Sequence, residues 1–423
     1  MNWQLWFAGL LFVGVYGIII SEKVHRTIIA LFGAALLLLL GVLSQQEAIN
    51  YIDFNTIGLL AGMMIIVGIA RKSGIFEYMA IKAAHFSGGE PIRILVALCI
   101  VTAVASAFLD NVTTVLLIVP VTISICNDLE INPVPIFVAE ILASNIGGTA
   151  TLIGDPPNIM IGSAAGLGFM DFVSNLFPVI IIIFTVTVFL LRLLFKNTFQ
   201  ASEENKARIR AMNPGDAIQD TVLLKKSLIV VTLVITGFVF HQYLHLESAT
   251  VALAGAALLL LISREDPEEI LNTVEWATLF FFIGLFILVG GLVKVGIIDQ
   301  MAREVVKLTH GSLTASAIII LWFSAVASAF IDNIPFVATF IPLIKEVGQI
   351  THMSISPLWW ALSLGACLGG NGTLIGASAN VIISGISERE GHPMSFLGYM
   401  KVAFPLMLVS IIISTIYLLV FYL

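Results

Sequence analysis

Apolar residues run along the chain in successive stretches of about 18 to 22, the length an α-helix needs to cross a hydrocarbon layer of ~30 Å, separated by short polar or glycine-rich segments. In the first half this pattern predicts spans at 4–20, 25–43, 54–70, 133–165 and 173–196. A further apolar segment, 93–126, is interrupted only by Asp110-Asn111. It is too long for one crossing, and two full crossings would force the Asp-Asn pair into a very tight surface turn. Two arms of roughly 16 residues, each about 24 Å long at 1.5 Å per residue, instead predict a re-entrant hairpin with a buried tip. Irregular backbone at that depth is tolerated only where protein or a water-filled cavity satisfies it. The 133–165 span is broken likewise by Gly147, Gly148, Gly154, Pro156 and Pro157, which predicts two half-helices around an unwound middle.

The pattern then repeats without a gap over most of its length at an offset of 222 residues, the separation of Asp110 from Asp332. Val104-Ala-Ser-Ala-Phe-Leu-Asp110-Asn111 returns as Val326-Ala-Ser-Ala-Phe-Ile-Asp332-Asn333, and Gly147-Gly148-Thr-Ala-Thr-Leu-Ile-Gly154 returns as Gly369-Gly370-Asn-Gly-Thr-Leu-Ile-Gly376. Gly62, Gly68, Gly74 and Gly89 find Gly284, Gly290, Gly296 and Gly311. Chance alignment of two greasy stretches does not match glycine and polar positions at one constant spacing, and internal duplication is a common way to build a transporter. The expectation is an all-α polytopic membrane protein made of two five-span halves. Each half carries a re-entrant hairpin and a broken helix: 1–200 with hairpin 93–126, a linker at 201–222, and 223–423 with hairpin 313–347. An odd number of crossings per half makes the repeat inverted.

Composition agrees with the pattern: 59% of residues are hydrophobic and 11% charged, against roughly 25% charged in soluble domains. The loops at 21–26, 71–93 and 126–132 and the polar connector 197–226 hold Lys23, Arg26, Arg71, Lys72, Lys82, Arg93 and most other positive residues up to Lys226, whereas loops 44–53 and 166–172 hold none. The positive-inside rule then puts the linker in the cytoplasm and both termini outside; an inner-membrane location is expected. The first apolar run, Trp3 to Ile20, lacks a basic lead-in and a small-x-small cleavage site, so it is read as a span rather than a removable signal. Cys99, Cys126 and Cys367 form no CxxC or Cys/His cluster, so neither disulfides nor a zinc site follow.

Charged residues inside spans are costly and point to function. Asp110 and Asp332 recur at equivalent positions, while Glu140 and Asp155 occur only in the first copy, their counterparts being Leu362 and Ala377. No Lys or Arg lies within about 15 residues of Asp110 in the apolar zone, which suggests an exchangeable partner, a proton or Na⁺. The plainer reading is that both Asp residues cap the second hairpin arm. Asp155-Pro156 likewise reads as N-cap and N1 of a helix. Each copy thus brings a hairpin tip near an unwound loop, the arrangement from which midplane sites are built. The candidate binding residues are Asp110, Asn111, Thr113, Thr114, Asn145, Thr149, Thr151, Asp155 and Asn158, then Asp332, Asn333, Asn371, Thr373, Ser378 and Asn380, with Glu140 secondary. His241 and His245 have metal-pair spacing without a carboxylate-rich neighbour, and Cys367 reads as a packing residue. No GKS or GKT follows the glycine strings, and no nucleophile and base pair up, so an enzyme, a nucleotide site, an organic cofactor and nucleic-acid binding are not expected.

The strings AFLDNVTT and SNIGGTATLIGDPPN, with AFIDNIPF and GGNGTLIG in the second copy, resemble the ion transporter superfamily over essentially the whole chain. Within it they are most similar to the group holding ArsB-type arsenite permeases, NhaD-type sodium/proton antiporters and the melanosomal P protein. The resemblance implies an inverted-repeat, two-hairpin fold, a homodimer in the bilayer, an elevator-like or related alternating-access movement and, for an ArsB-like protein, an ATPase partner. Asp110-Asn111-Val112-Thr113 stands where the dicarboxylate branch has Ser-Asn-Thr, and a fixed Asp at contact distance would repel a carboxylate solute. Arsenite or antimonite efflux coupled to protons or an ion gradient is therefore expected, with sodium/proton antiport as the alternative and a passive anion channel as a different class.

Overall fold

The computed structural model describes residues 3–21 and 23–423. The first half consists of α1 (Trp3–Ser21), α2 (Arg26–Leu39), α3 (Gln45–Tyr51), α4 (Phe54–Arg71), α5 (Ile75–Phe86), α6 (Pro91–Phe108), α7 (Asn111–Leu129), α8 (Val134–Thr149), α9 (Pro156–Ala165) and α10 (Phe169–Phe195). A linker helix, α11 (Glu203–Ala211), follows. The second half runs α12 (Thr221–Phe240), α13 (Ser248–Ser263), α14 (Pro267–Leu271), α15 (Trp276–Lys294), α16 (Ile297–Thr309), α17 (Leu313–Phe330), α18 (Asn333–Thr351), α19 (Ser356–Gly369), α20 (Ser378–Arg389) and α21 (Phe396–Phe421). Ten of these helices are long and apolar enough to cross a membrane.

The offset of 222 read from the sequence carries α6 and α7 onto α17 and α18 with identical bounds. Packing is reciprocal as well: α2 lies on α15 as α13 lies on α4, and α9 meets α18 as α20 meets α7. Such exchange is what a two-fold relation between halves produces, and it leaves the two broken helices, α8 and α19, against each other.

Backbone closeness holds each hairpin to its broken helix. A Cβ added to Gly147 would stand 2.2 Å from the carbonyl oxygen of Ala103, and one on Gly369 would stand 2.5 Å from that of Ala325. Where lipid surrounds the bundle no hydrophobic gain drives helices together, so packing through small residues is what permits contact. The hairpins turn at Leu109-Asp110 and Ile331-Asp332, and both second arms start at a buried asparagine. Each tip lies within the protein. The linker helix is docked: Lys206 pairs with Glu90 at 2.9 Å, Arg210 donates to the Gly88 carbonyl at 2.7 Å, and Asn205 donates to that of Leu129 at 3.3 Å. It closes over the base of the first hairpin.

Candidate functional site

The two tips converge on one carboxylate. Asp155, wholly buried, accepts at Oδ1 from Asn111 Nδ2 at 3.4 Å and from Asn333 Nδ2 at 3.5 Å, one amide from each half. Its Oδ2 has no protein partner. Asp155 stands at the N-cap of α9, as the Pro-Pro sequence suggests, yet its side chain makes no capping bond. The reason is direction: the carboxylate is turned to the tips instead of to its own helix.

Asp110 and Asp332 both cap, and then differ. Asp110 accepts from Thr113 N at 2.8 Å and Thr113 Oγ1 at 2.5 Å. Asp332 accepts from Ile334 N at 3.2 Å, and also from Ser378 Oγ at 3.1 Å and Arg26 Nη1 at 2.6 Å. Arg26, counted from the sequence as a loop charge, is thus a residue of the site, held over the Phe281 ring at 5.0 Å. Its counterpart in the repeat is Ser248, so Asp110 has no equivalent cation. Glu275, also unforeseen, lines the same small cavity as Arg26, Asp110, Asn111, Asp155, Asn333 and Ser378. The available signal was the repeat itself, because Glu275 and its counterpart Asp53 are both helix-starting acids.

That cavity has a volume of about 20 Å³, room for one water-sized guest. A larger one, about 340 Å³ and lined by His25, Arg26, Asp332 and Ser378 among apolar residues, reaches the second tip from the end of the bundle where the 23–26 turn lies.

The other candidates hold the frame. Asn145 accepts from Asn111 at 3.1 Å and donates to Asn371 Oδ1 at 2.9 Å and Asn380 Oδ1 at 3.0 Å, tying the first tip to the second broken helix. Asn158 donates to the carbonyls of Thr149 and Thr151, and Asn380 to those of Gly370 and Thr373, so each staples its own unwound loop. Thr149 donates to Asn145 O, Thr151 to Ala107 O, and Thr373 to Ala329 O. These hydroxyls are spent on backbone, and none lines the small cavity. Thr114 is buried with its hydroxyl unpartnered, and Glu140 lies away from the cavity. Cys367, where the first half has Asn145, packs its thiol 3.6 Å from Asn158 Oδ1. His241 Nδ1 is engaged with the Leu246 carbonyl at 2.8 Å. No cluster of three or more His, Cys, Asp or Glu suited to a metal occurs among the described residues.

Residues 16–365 match the citrate transporter family, CitMHS. The chain belongs to the CitMHS family. Among its relatives, an uncharacterised transporter of Mycobacterium bovis is 46% identical over 414 residues, 96% of either chain. The human P protein is 37% identical over 99% of this chain, which spans 60% of that protein's length. In fold, the CitMHS chain is similar to the YdaH transporter of Alcanivorax borkumensis, with a TM-score of 0.58, 14% identity, and coverage of 99% of this chain and 97% of that one. The chain is accordingly a multi-pass membrane transporter of the ion transporter superfamily.

Proposed function

We propose that this transporter is secondary active and exports arsenite and antimonite, coupled to protons or Na⁺ by alternating access. The observation that carries the reading is the charge of the site: Asp110, Asp155, Asp332 and Glu275 face a single guanidinium, which Asp332 already engages. Citrate, the solute named for the family, would bring three further negative charges into that field, and like charges so juxtaposed cost several kcal/mol. Arsenous acid is uncharged at neutral pH and offers hydroxyls that donate to carboxylates and accept from the Asn111 and Asn333 amides. Asp155, with one oxygen unpartnered, is the group for the coupling cation. On the charge map the linker is cytoplasmic and the termini external, so the larger cavity beside Arg26 is the inward access route.

Sodium/proton antiport is the second reading, favoured by the size of the central cavity, which suits a bare ion. Proteoliposomes separate the two. Saturable arsenite flux that follows an imposed pH or Na⁺ gradient supports efflux, whereas Na⁺ or Li⁺ flux against protons, with arsenite inert, supports antiport. Flux that neither saturates nor follows a gradient overturns both and indicates a channel.

A further inference from the structure

The repeat relates Glu275, in the wall of the small central cavity, to Asp53, and Thr278 to Thr56. The local geometry repeats too: Thr56 Oγ1 donates to Asp53 Oδ2 at 2.6 Å, and Thr278 Oγ1 to Glu275 Oε2 at 3.0 Å. The two pairs stand at opposite faces of the bundle. Glu275 begins α15, and at the other end of that helix, about 28 Å away at 1.5 Å per residue, Lys294 pairs with Glu47 and Gly290 lies against the Tyr51 ring, both partners belonging to the segment that leads into Asp53.

What surrounds the two acids differs. Glu275 and Thr278 face the cavity beside Asp110 and Asp155. Asp53 is shut away from it. Pro156, the first residue of α9, shares the cavity wall with Leu60 and Met64 of α4. Two turns further along α9, Ser163 Oγ donates to Asp53 Oδ1 at 2.9 Å and accepts from Asn55 Nδ2 at 3.3 Å. α9 thus lies along the first half of α4 and closes the way from the cavity to that face. The first half of α15 has no such cover: α15 packs on the hairpin arm α18 instead of on α20, and Gly385 stands in α20 where α9 has Ser163.

Two halves so alike in sequence and packing can exchange arrangements at small cost, and rocking one repeat against the other about a fixed midplane site presents that site to each side in turn. Exchange carries α9 off α4 and α20 onto α15. We propose that Asp53 is the gate carboxylate of the outer face: latched by Ser163 in the inward-open form seen here, and in the outward-open form brought to the central site, beside Asp332 and Asn111, in the role that Glu275 holds here beside Asp110 and Asn333.

The two mouths differ in charge. Arg26 stands with Glu275 at the inner one, whereas its counterpart Ser248 stands at the outer one, its Oγ 3.4 Å from Asn55 Oδ1. No Lys or Arg pairs with Asp53 among the described residues. An acid beside a serine outside and an acid beside a guanidinium inside draw a cation in through the outer mouth, the direction that export of a solute in exchange for a cation requires.

The proposal rests on the alternating-access reading, and the test keeps the two apart. The full chain carrying Thr56→Cys, in right-side-out vesicles, is treated with a membrane-impermeant thiol reagent; Thr56 is wholly buried here, and so are the native cysteines. Adding Ser163→Ala should raise the labelling rate at position 56 by about tenfold, the least that a hydrogen bond to a charged group contributes to an equilibrium, whereas Ser163→Thr, which keeps the hydroxyl, should leave it unchanged. One-for-one exchange of labelled arsenite is then measured from each face, in right-side-out and inside-out vesicles. Asp53→Asn, which keeps an acceptor for Ser163 and for the helix start, should raise the half-saturating arsenite concentration about tenfold at the outer face only, and Glu275→Gln should do so at the inner face only. Saturable exchange with labelling indifferent to Ser163→Ala, or an equal shift at both faces in Asp53→Asn, overturns the gate and leaves alternating access standing. Flux that never saturates overturns alternating access and the gate with it. If the wild type moves no arsenite, the solute reading fails and the labelling alone decides the gate.

Discussion

Replacing Arg26 with Gln removes the one cation in the central site and leaves Asp332 with Ser378 and its own helix start. The cost follows from exposure. Breaking a fully buried pair costs roughly 3–5 kcal/mol, and exposed pairs contribute ~0–1 kcal/mol. Side-chain exposures of 25% for Arg26 and 15% for Asp332, at a separation of 2.6 Å, place this pair between the limits. We take about 2 kcal/mol, in line with hydrogen bonds to charged groups and equal to roughly a 30-fold change in an equilibrium constant. Gln also loses the bond to Ser378 and the contact over Phe281, so the double-mutant cycle with Asp332→Asn is needed to isolate the pair. Unfolding in mixed micelles should give a coupling energy of ~2 kcal/mol. A released Asp332 should then accept a cation of its own, raising the number of protons or sodium ions moved per solute in reconstituted vesicles. A coupling energy below about 0.5 kcal/mol together with unchanged stoichiometry would refute the view that Arg26 is a built-in counter-ion for the second tip.

Three further outcomes are expected, the first from the distribution of Lys and Arg along the chain and the other two from the geometry. Single cysteines at Glu203 and Gln45, treated in intact cells with an impermeant thiol reagent, should react at position 45 only, and the opposite result reverses the topology. Gly147→Ala should cost about 3 kcal/mol, the upper end of overpacking penalties, and show as lost expression or a lowered unfolding midpoint, because the new methyl meets the Ala103 backbone at 2.2 Å; a wild-type midpoint contradicts the close approach. The Lys294 ammonium, then the Ser44 backbone N–H and Ser44 hydroxyl, hold the Glu47 carboxyl down at about 2 from its usual 4.5. A depressed carboxylate contributes fully above pH 4.5 and loses that contribution as pH falls through about 2. Amide-exchange protection at Ser44 should therefore decline across that window in the wild type and be lower and flat in Glu47→Gln.

Periodicity, glycine spacing and breaks in apolar runs are local signals, and they located the long apolar helices, the Asp-Asn turns and the unwound loops to within a few residues, but they missed α3 and α5, short helices in segments 44–53 and 71–93 that read as loops because neither is apolar enough to stand out. The repeat also showed which polar positions to compare. Partnership was not legible, because it depends on contacts between distant segments. Arg26 and Asp332 are 306 residues apart, and nothing around either residue marks the other. Sequence likewise could not tell polar groups that face the cavity from those used on the frame. Thr151 and Thr373 read as binding hydroxyls, but an unwound loop must first satisfy backbone carbonyls of its neighbouring hairpin, and the structure uses both for that. Asp155 read as a helix cap, and only the meeting of Asn111 with Asn333 shows why its carboxylate turns away.

On the proposed mechanism, a carboxylate shared by the two hairpin tips couples the solute to an ion. The most direct measurement of that coupling is arsenite flux in proteoliposomes under imposed pH and Na⁺ gradients, comparing the wild type with Asp155→Asn, which keeps the side chain's shape and an acceptor for the two amides. Saturable, gradient-driven flux is expected in the wild type, and in the variant a protein that folds and binds arsenite but no longer moves it uphill. Wild-type uphill flux in Asp155→Asn would contradict it.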